Sequence, residues 1–414
     1  MGEGNAKNKK RSVEMGSIQI KEDIYWVGVR DWNIRYFHGP AYSTHRGTTY
    51  NVYLIKDEKN VLVDGVFTPF IDKFFETLGE VIDFEEIDYY VVNHVEPDHS
   101  ASFPETMKKL RDDVVVICSE KGKEGLIEHY GNGYNFKVVK TGDTIKIGKR
   151  TLAFVEAPML HWPDSMFTYV PEEKLLLPND AFGMHLATAR LFDDENDEAV
   201  IMQEAKKYFA NILTPFSGLI LNKLKEVTEM GLEIDMIAPS HGIIWRKNVA
   251  GIIEKYAEWA EMKPLDKAVI VYDTMWDSTE LIADRIADGL IDEGIDIKFF
   301  KQSISDRNDI ITEILDAKAI IIGSPTINNV ILPELVPLLE DLEGLRFKHK
   351  IGAVFGSHGW AGGATRRIAE RMKAARIELV EEPFVVKYVP EKEVLDEAYE
   401  FGRRIATAIK EKNQ

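Results

Sequence analysis

Asp88-Tyr89-Tyr90-Val91-Val92-Asn93-His94-Val95-Glu96-Pro97-Asp98-His99-Ser100 is an apolar run that breaks abruptly into two imidazoles and two carboxylates. Residues 88–93 read as a strand, because aromatic and β-branched side chains dominate them. Side chains alternate along extended chain, which would send His94, Glu96 and Asp98 to a common side. Pro97 disfavours helix at Glu96, so the reading expects extended or turn backbone that keeps these ligands together. Two imidazoles with two carboxylates are costly to bury unpaired. The stretch therefore suits a metal site better than a core.

Three further candidates follow the same turn logic. His161 comes after strand 151–155, Asp180 ends Leu175-Leu176-Leu177-Pro178-Asn179-Asp180, and His241 follows Asp235-Met236-Ile237-Ala238-Pro239-Ser240. Each alone is unremarkable; the set converges if its loops share one sheet edge. Around them the first half reads as mixed α+β. Strands are expected at 24–29, 50–55, 60–64, 88–93, 113–117, 135–139, 151–155 and 165–170. Helices are expected at 68–78, 102–110, 122–130, 199–212, 217–230 and 249–262.

Character changes at Met262-Lys263-Pro264-Leu265, where proline fits a linker. This sets domains at 17–262 and 265–414, after a disordered tail at 1–16. Buried-strand patterns at 268–273, 297–300, 319–323, 351–355 and 384–389 alternate with helical ones. Helices are expected at 278–293, 306–316, 333–342, 362–376 and 391–411. That alternation argues an α/β doubly wound parallel sheet, whose ligand crevice lies at the carboxyl ends of its strands.

Three of those strand ends carry candidate ligand loops. Thr274-Met275-Trp276-Asp277-Ser278-Thr279 opens a helix, where hydroxyls and backbone N–H groups make a phosphate cradle. The lesser alternative is that Ser278 is a plain N-cap. Asp277 would repel a phosphate, so its side chain must turn outward. The others are Ser324-Pro325-Thr326-Ile327-Asn328-Asn329 and Ser357-His358-Gly359-Trp360-Ala361-Gly362. Trp276 and Trp360 are candidates to flank a flat ring.

With 414 residues, about two or three domains fit. The net charge of −18 argues against nucleic acid and against anionic membrane surfaces. No apolar run approaches a spanning helix. The single cysteine, Cys118, sits in an apolar run and reads as a buried core thiol; it allows no internal disulfide and no Cys-based metal site, with cytoplasm the default compartment.

The ligand spacing resembles the metallo-β-lactamase superfamily, whose motif is H-x-H-x-D-H followed by a distant His, an Asp and a last His. Glu96 departs from it by replacing an imidazole. That makes the site more anionic, which suits iron better than the imidazole-rich zinc sites of hydrolases. The 274–279 loop resembles the flavodoxin phosphate loop, T/S-x-T-G-x-T, with Asp277 as a departure. Together, H-x-E-x-D-H and a following flavodoxin-like half resemble the flavodiiron proteins (A-type flavoproteins) over about residues 17–414.

The resemblance implies a metallo-β-lactamase-like αββα sandwich followed by a flavodoxin-like domain. It implies one iron on His94, Glu96 and His161, and a second on Asp98, His99 and His241, bridged by Asp180. Some members leave the equivalent of His99 unbound. It implies FMN in the three loops and Tyr208 beside the diiron pocket. Such proteins reduce O₂ to water, NO to N₂O, or both, with electrons passing from rubredoxin through FMN. No Cys-x-x-Cys knuckle is present here, so a separate donor is expected. A head-to-tail homodimer is expected, because FMN of one subunit would meet iron of the other. The basic stretch at Arg366, Arg367, Arg371 and Lys373 is a candidate docking face for an acidic donor. The rival readings are a binuclear-metal hydrolase with a flavodoxin-like accessory domain, and a flavin electron carrier whose first domain binds no metal.

Overall fold

The computed structural model describes residues 16–411; the tail expected at 1–16 lies outside them except for Gly16. Two sheets build the first half. The larger runs Ile18–Lys21, Ile24–Trp26, Tyr53–Ile55, Asn60–Val63, Ile87–Val91, Val115–Cys118 and Asn135–Val138 in spatial order. Its first three pairings are antiparallel and its last three parallel. The smaller orders Thr144–Lys146, Thr151–Glu156, Met166–Val170, Leu175–Leu177 and Met236–Ile237.

The two sheets face each other over one core. Trp26, Val61, Val63 and Val91 come from the first sheet, and Leu152, Phe154, Val170 and Leu177 from the second. Helices Ile71–Gly79 and Glu120–Tyr130 belong to the outer side of the large sheet, whose cluster holds Phe74 and Leu126. Helices Glu198–Tyr208, Ser217–Glu229 and Val249–Glu261 cover the small one. The layers are therefore helix, sheet, sheet, helix, as the sequence led us to expect.

The second half forms a parallel sheet in the order Asp296–Lys301, Leu265–Tyr272, Ala317–Ile327 and Ile351–His358, flanked by Glu378–Leu379 and Phe384–Lys387. This 2-1-3-4-5 arrangement is the flavodoxin-like one. Its central strands read as near-continuous apolar runs because helices bury both faces. Ala268 through Tyr272 are all buried. Ser278–Asp292 and Lys392–Glu411 pack on one face. The other face shares a continuous apolar cluster with the first half, running from Tyr208 and Phe209 to Ile310 and Ile314.

Polar contacts lock that junction. The buried Asn308 side chain accepts from the Ser43 amide at 2.9 Å and donates to Ala41 O at 3.1 Å and Asn211 Oδ1 at 2.8 Å. Lys206 pairs with Asp316 at 2.6 Å and Lys207 with Asp309 at 2.7 Å.

The structure corrects several sequence expectations. The helix expected at 199–212 ends at Tyr208 and passes into a wider turn at Phe209–Leu213, a feature common at functional sites. The last strand stops at Lys387 because Tyr388 takes a left-handed backbone, φ 63°. The strand expected at 319–323 extends over Ala317–Ile327 and turns back through Val330–Ile331. Among the described residues no helix is long and apolar enough to cross a membrane. Cys118 is buried, as expected, and its thiol is pushed up to about 12 by that burial.

Replacing Asn308 by Ala strands buried polar groups on both sides of the junction. The expected loss is about 1–3 kcal/mol, read by calorimetry as a lower and broader transition.

Candidate metal and flavin sites

Strand Ile87–Val91 delivers the ligand loop, and Asn93 fixes its exit. The Asn93 amide donates to Asp64 Oδ1 at 2.8 Å, and its side chain accepts from Thr168 Oγ1 at 2.8 Å. His94 and Glu96 then follow on non-helical chain. Pro97, however, does not prevent a helix. It starts one, Pro97–Ser100, at the first helical position, where its missing N–H is harmless. The expectation that His94, Glu96 and Asp98 share one side is therefore wrong. The helical turn rotates Asp98 and His99 away from His94 and Glu96.

The result is two groups rather than one. His94, Glu96, His161 and Asp180 place ligand atoms within 4.8 Å of one another, and so do Asp98, His99 and His241. Asp180 faces both. Its Oδ2 lies 3.2 Å from His161 Nε2 and 3.7 Å from His94 Nε2. Its Oδ1 lies 3.0 Å from His99 Nε2 and 3.6 Å from His241 Nε2. All seven residues expected as ligands are thus brought together, all of them buried or nearly so.

A second layer of groups orients the imidazoles. Asp164 Oδ2 takes His94 Nδ1 at 3.0 Å and the Val95 amide at 2.8 Å. His241 Nδ1 donates to Thr49 O at 2.6 Å. Ser240 Oγ donates to Asp180 Oδ1 at 3.0 Å. Neither Asp164 nor Thr49 is visible as a partner from sequence, because both reach the site from distant elements. A carboxylate behind a ligating histidine is nonetheless a recurring arrangement.

These residues fit cations. His241 Nδ1 donates to a carbonyl, so in the neutral ring its Nε2 carries a lone pair, aimed at Asp98 Oδ2 only 2.9 Å away. Two acceptors at that distance need a positive charge between them. Neither nitrogen of His99 makes a hydrogen bond, nor do Asp98 Oδ1 and Asp180 Oδ2. Without metal, protons on His99 and His161 balance part of this charge. Burial pushes His99 and His161 down, but the facing carboxylates outweigh it and raise both to about 9. Burial likewise raises Asp180, yet the surrounding histidines pull it well below the usual carboxylate range. Four imidazoles with three carboxylates form a mixed nitrogen and hard-oxygen set that suits iron.

Aromatic rings wall the site. Tyr208 is buried 5.1 Å, centre to centre, from His185, which packs 5.0 Å from His241. Burial and the Asp180 carboxylate push the Tyr208 hydroxyl well above the phenol range, so it keeps its proton. His38, missed from sequence, reaches in from a loop, with Nε2 2.9 Å from Glu96 Oε1. His185 was also missed; its Nδ1 meets Thr48 Oγ1 at 2.9 Å.

In the second half, a cavity of about 520 Å³ opens at the carboxyl ends of the strands. Thr274, Met275, Trp276 and Ser278 line it from the first loop. Pro325, Thr326, Ile327 and Asn328 line it from the second, and Ser357, His358, Gly359 and Trp360 from the third. Six expected residues do not. Asp277 is exposed with a left-handed backbone, φ 63°, so its acid turns outward as expected. It, not Ser278, holds the N-cap position, without a side-chain bond. Thr279 is buried against Ser357, 2.9 Å between hydroxyls, and Ser324 bonds the Leu332 amide. Asn329, Ala361 and Gly362 lie in the flanking turns, outside the cavity lining. Tyr388 and Val389 complete the lining and were missed, although the end of a fifth strand belongs at such a crevice.

The pocket fits a flavin nucleotide. Thr274 Oγ1 is buried with no partner, beside the N-terminus of a 15-residue helix, where a phosphate is favoured. Trp276 and Trp360 are 87% and 89% exposed on the cavity wall, offering ring faces.

A binuclear metal site in a β-sandwich, followed by a flavin-type pocket on a doubly wound sheet, defines a two-domain metalloflavoprotein. Family models agree: residues 48–242 match the ODP family beta lactamase and residues 270–402 match flavodoxin. A nitric oxide reductase of Moorella thermoacetica is 57% identical over 394 residues, covering 95% of this chain and 98% of that one. The rubredoxin oxygen:oxidoreductase of Desulfovibrio gigas superposes with TM-score 0.93 at 36% identity, covering 96% and 99%. A flavodiiron protein of Giardia intestinalis does so with TM-score 0.90 at 32% identity, covering 96% and 97%. The chain belongs to the flavodiiron protein family, and is an oxidoreductase with a metallo-β-lactamase-like domain and an FMN-binding flavodoxin-like domain.

Asp164→Asn leaves the seven facing groups in place but weakens the hold on His94. The expected effect is about 10–100-fold weaker metal binding, measured by competition with a chelator.

Proposed function

We propose that this chain reduces a diatomic gas, O₂ to water or NO to N₂O, with electrons passing from a rubredoxin-like donor through FMN to two irons. The observation that carries the reading is Asp180, whose two oxygens face two separate ligand groups. One iron would be held by His94, Glu96 and His161 and the other by Asp98, His99 and His241, with Asp180 offering one oxygen to each group. His99 counts as a ligand because its Nε2 faces two carboxylates without a hydrogen bond. Bound together, the metals supply a place for the gas and electrons delivered in step.

The protein's own groups handle the rest. Reducing two NO to N₂O and water takes two protons with two electrons; reducing O₂ to two waters takes four of each. Tyr208 stays protonated and offers its hydroxyl as a hydrogen-bond donor toward bound gas. The wall of Phe37, Tyr42 and Tyr50 keeps bulk water out. Three His–Glu contacts, from His38, His94 and His161, hold Glu96 ionised.

The relatives' names bear on substrate and donor: one is a nitric oxide reductase and another a rubredoxin oxygen:oxidoreductase. We assign residues 17–262 to the metal domain and 265–414 to the flavin domain. We assign a head-to-tail homodimer, and the placement of exposed apolar side chains supports it. Trp276, Trp360 and Tyr388 ring the flavin pocket, and Tyr36, Phe67 and Met159 lie in segments next to the metal ligands. Pairing the two patches would bury both and bring flavin toward the other subunit's metals. Cytoplasm is the assigned compartment, consistent with a lone, buried thiol.

Gas electrodes test the reading with protein carrying full iron and FMN, reduced through rubredoxin. Consumption of O₂ or NO supports it; consumption of neither, with donor-reduced FMN, overturns it. Tyr208→Phe is expected to lower kcat by about tenfold or more at unchanged iron content, a loss of one donor to the reacting gas. Arg366→Glu combined with Arg367→Glu, both on the exposed face of Ala364–Ala374, is expected to slow donor-dependent flavin reduction at low salt. The effect should fade as salt screens the attraction, which stopped-flow reduction at two ionic strengths will show.

A further inference from the structure

Behind the metal site lies a cavity that none of the assigned chemistry uses. It measures about 330 Å³ and sits between the small sheet and helices Ser217–Glu229 and Val249–Glu261. Its mouth is at the surface, beside Val227, Leu232 and Ala250, which are exposed or half-buried. Its floor is fully buried. Leu160, Ala181 and Phe182 form part of that floor. Leu160 directly precedes His161, and Ala181 and Phe182 directly follow Asp180. The cavity thus runs from solvent to the backbone that carries two metal-facing side chains.

Its walls suit only an apolar guest. Lys223 contributes its stem, while its ammonium is tied to Glu156 O at 2.7 Å and Glu226 Oε2 at 2.6 Å. The Thr228 hydroxyl bonds its own helix at Leu224 O, 2.8 Å. One polar group is free: the Tyr256 hydroxyl, buried in this lining with no hydrogen-bond partner. A charged or strongly polar ligand would be stripped of water here with only that one hydroxyl in return. A small apolar molecule loses nothing. Apolar cavities of about half this volume take up xenon or benzene and exclude water.

We propose that this cavity is the entry vestibule for the diatomic substrate: an apolar funnel that concentrates gas behind the metal site and passes it through the Leu160, Ala181 and Phe182 floor. The proposal rests on the gas-reductase reading above. It adds a route that is separate from the His38 side of the site, where exposed aromatic residues are assigned to the subunit interface.

Xenon is the probe for occupancy, and a mouth variant is the probe for traffic. Crystals of the iron- and FMN-loaded protein under xenon pressure should show xenon in this cavity. Val227→Trp, on a half-buried helix position away from every ligand, should exclude it, while Val227→Ile should not. With Val227→Trp, kcat/KM for the gas is expected to fall about tenfold, with kcat at saturating gas, iron content and flavin reduction unchanged. Such a split marks impeded entry rather than damaged chemistry. Absence of xenon from the wild-type cavity overturns the proposal. So does an unchanged kcat/KM in a Val227→Trp protein that has lost its xenon. If the wild type holds xenon but consumes neither gas, the gas-reductase reading fails and takes this proposal with it. A larger apolar guest in the cavity of the purified protein, retained with kcat/KM unaltered, also overturns it.

Discussion

Negative charge buried without enough positive charge is the constraint around which the first domain is organised. Glu96, Asp98 and Asp180 sit together below the surface, and burying carboxylates is affordable only when cations or strong donors meet them. Asp180 is the centre of that arrangement, because each of its oxygens belongs to a different ligand group. Its own amide and one oxygen are fixed by Asn179 and Ser240. Remove the bridging carboxylate and the two groups become two unrelated clusters. Keep it, and the two groups share one carboxylate.

The fold supplies this geometry at several sheet ends simultaneously. The larger sheet presents His94, Glu96, Asp98 and His99 after one strand, and the smaller presents His161, Asp180 and His241 after three. Packing the sheets face to face, over Trp26, Val63, Phe154 and Leu177, is what brings these loops together. Groups from the far side of the sequence then set ring orientation: Asp164 behind His94, Thr49 behind His241. The junction built on Asn308 joins this domain to the flavin-type sheet, through apolar side chains from both halves.

Much of this was legible in the sequence, for identifiable reasons. The 2-1-3-4-5 sheet shows itself as apolar runs alternating with amphipathic ones, since strands buried on both faces leave no other pattern. The seven clustered residues show themselves because imidazoles and carboxylates crowd the ends of apolar runs. What stayed hidden was local or long-range. Pro97 fits a turn and a helix start equally well, and only the packed loop selects the helix that separates Asp98 from Glu96. Asp164, His38 and His185 carry no signal of their own; each acts through a partner dozens of residues away. Tyr388 lay within a segment read as plain strand, and its left-handed backbone depends on the bond from its amide to His358 O.

The central claim is that Asp180 joins two metal ions into one centre. Mössbauer spectroscopy of the ⁵⁷Fe-loaded protein, beside its Asp180→Asn variant, tests it most directly. The account predicts two irons per chain in the wild type with a spin-coupled diferric ground state, and loss or weakening of that coupling in the variant. Isolated, uncoupled iron in the wild type, or a single iron per chain, would contradict it.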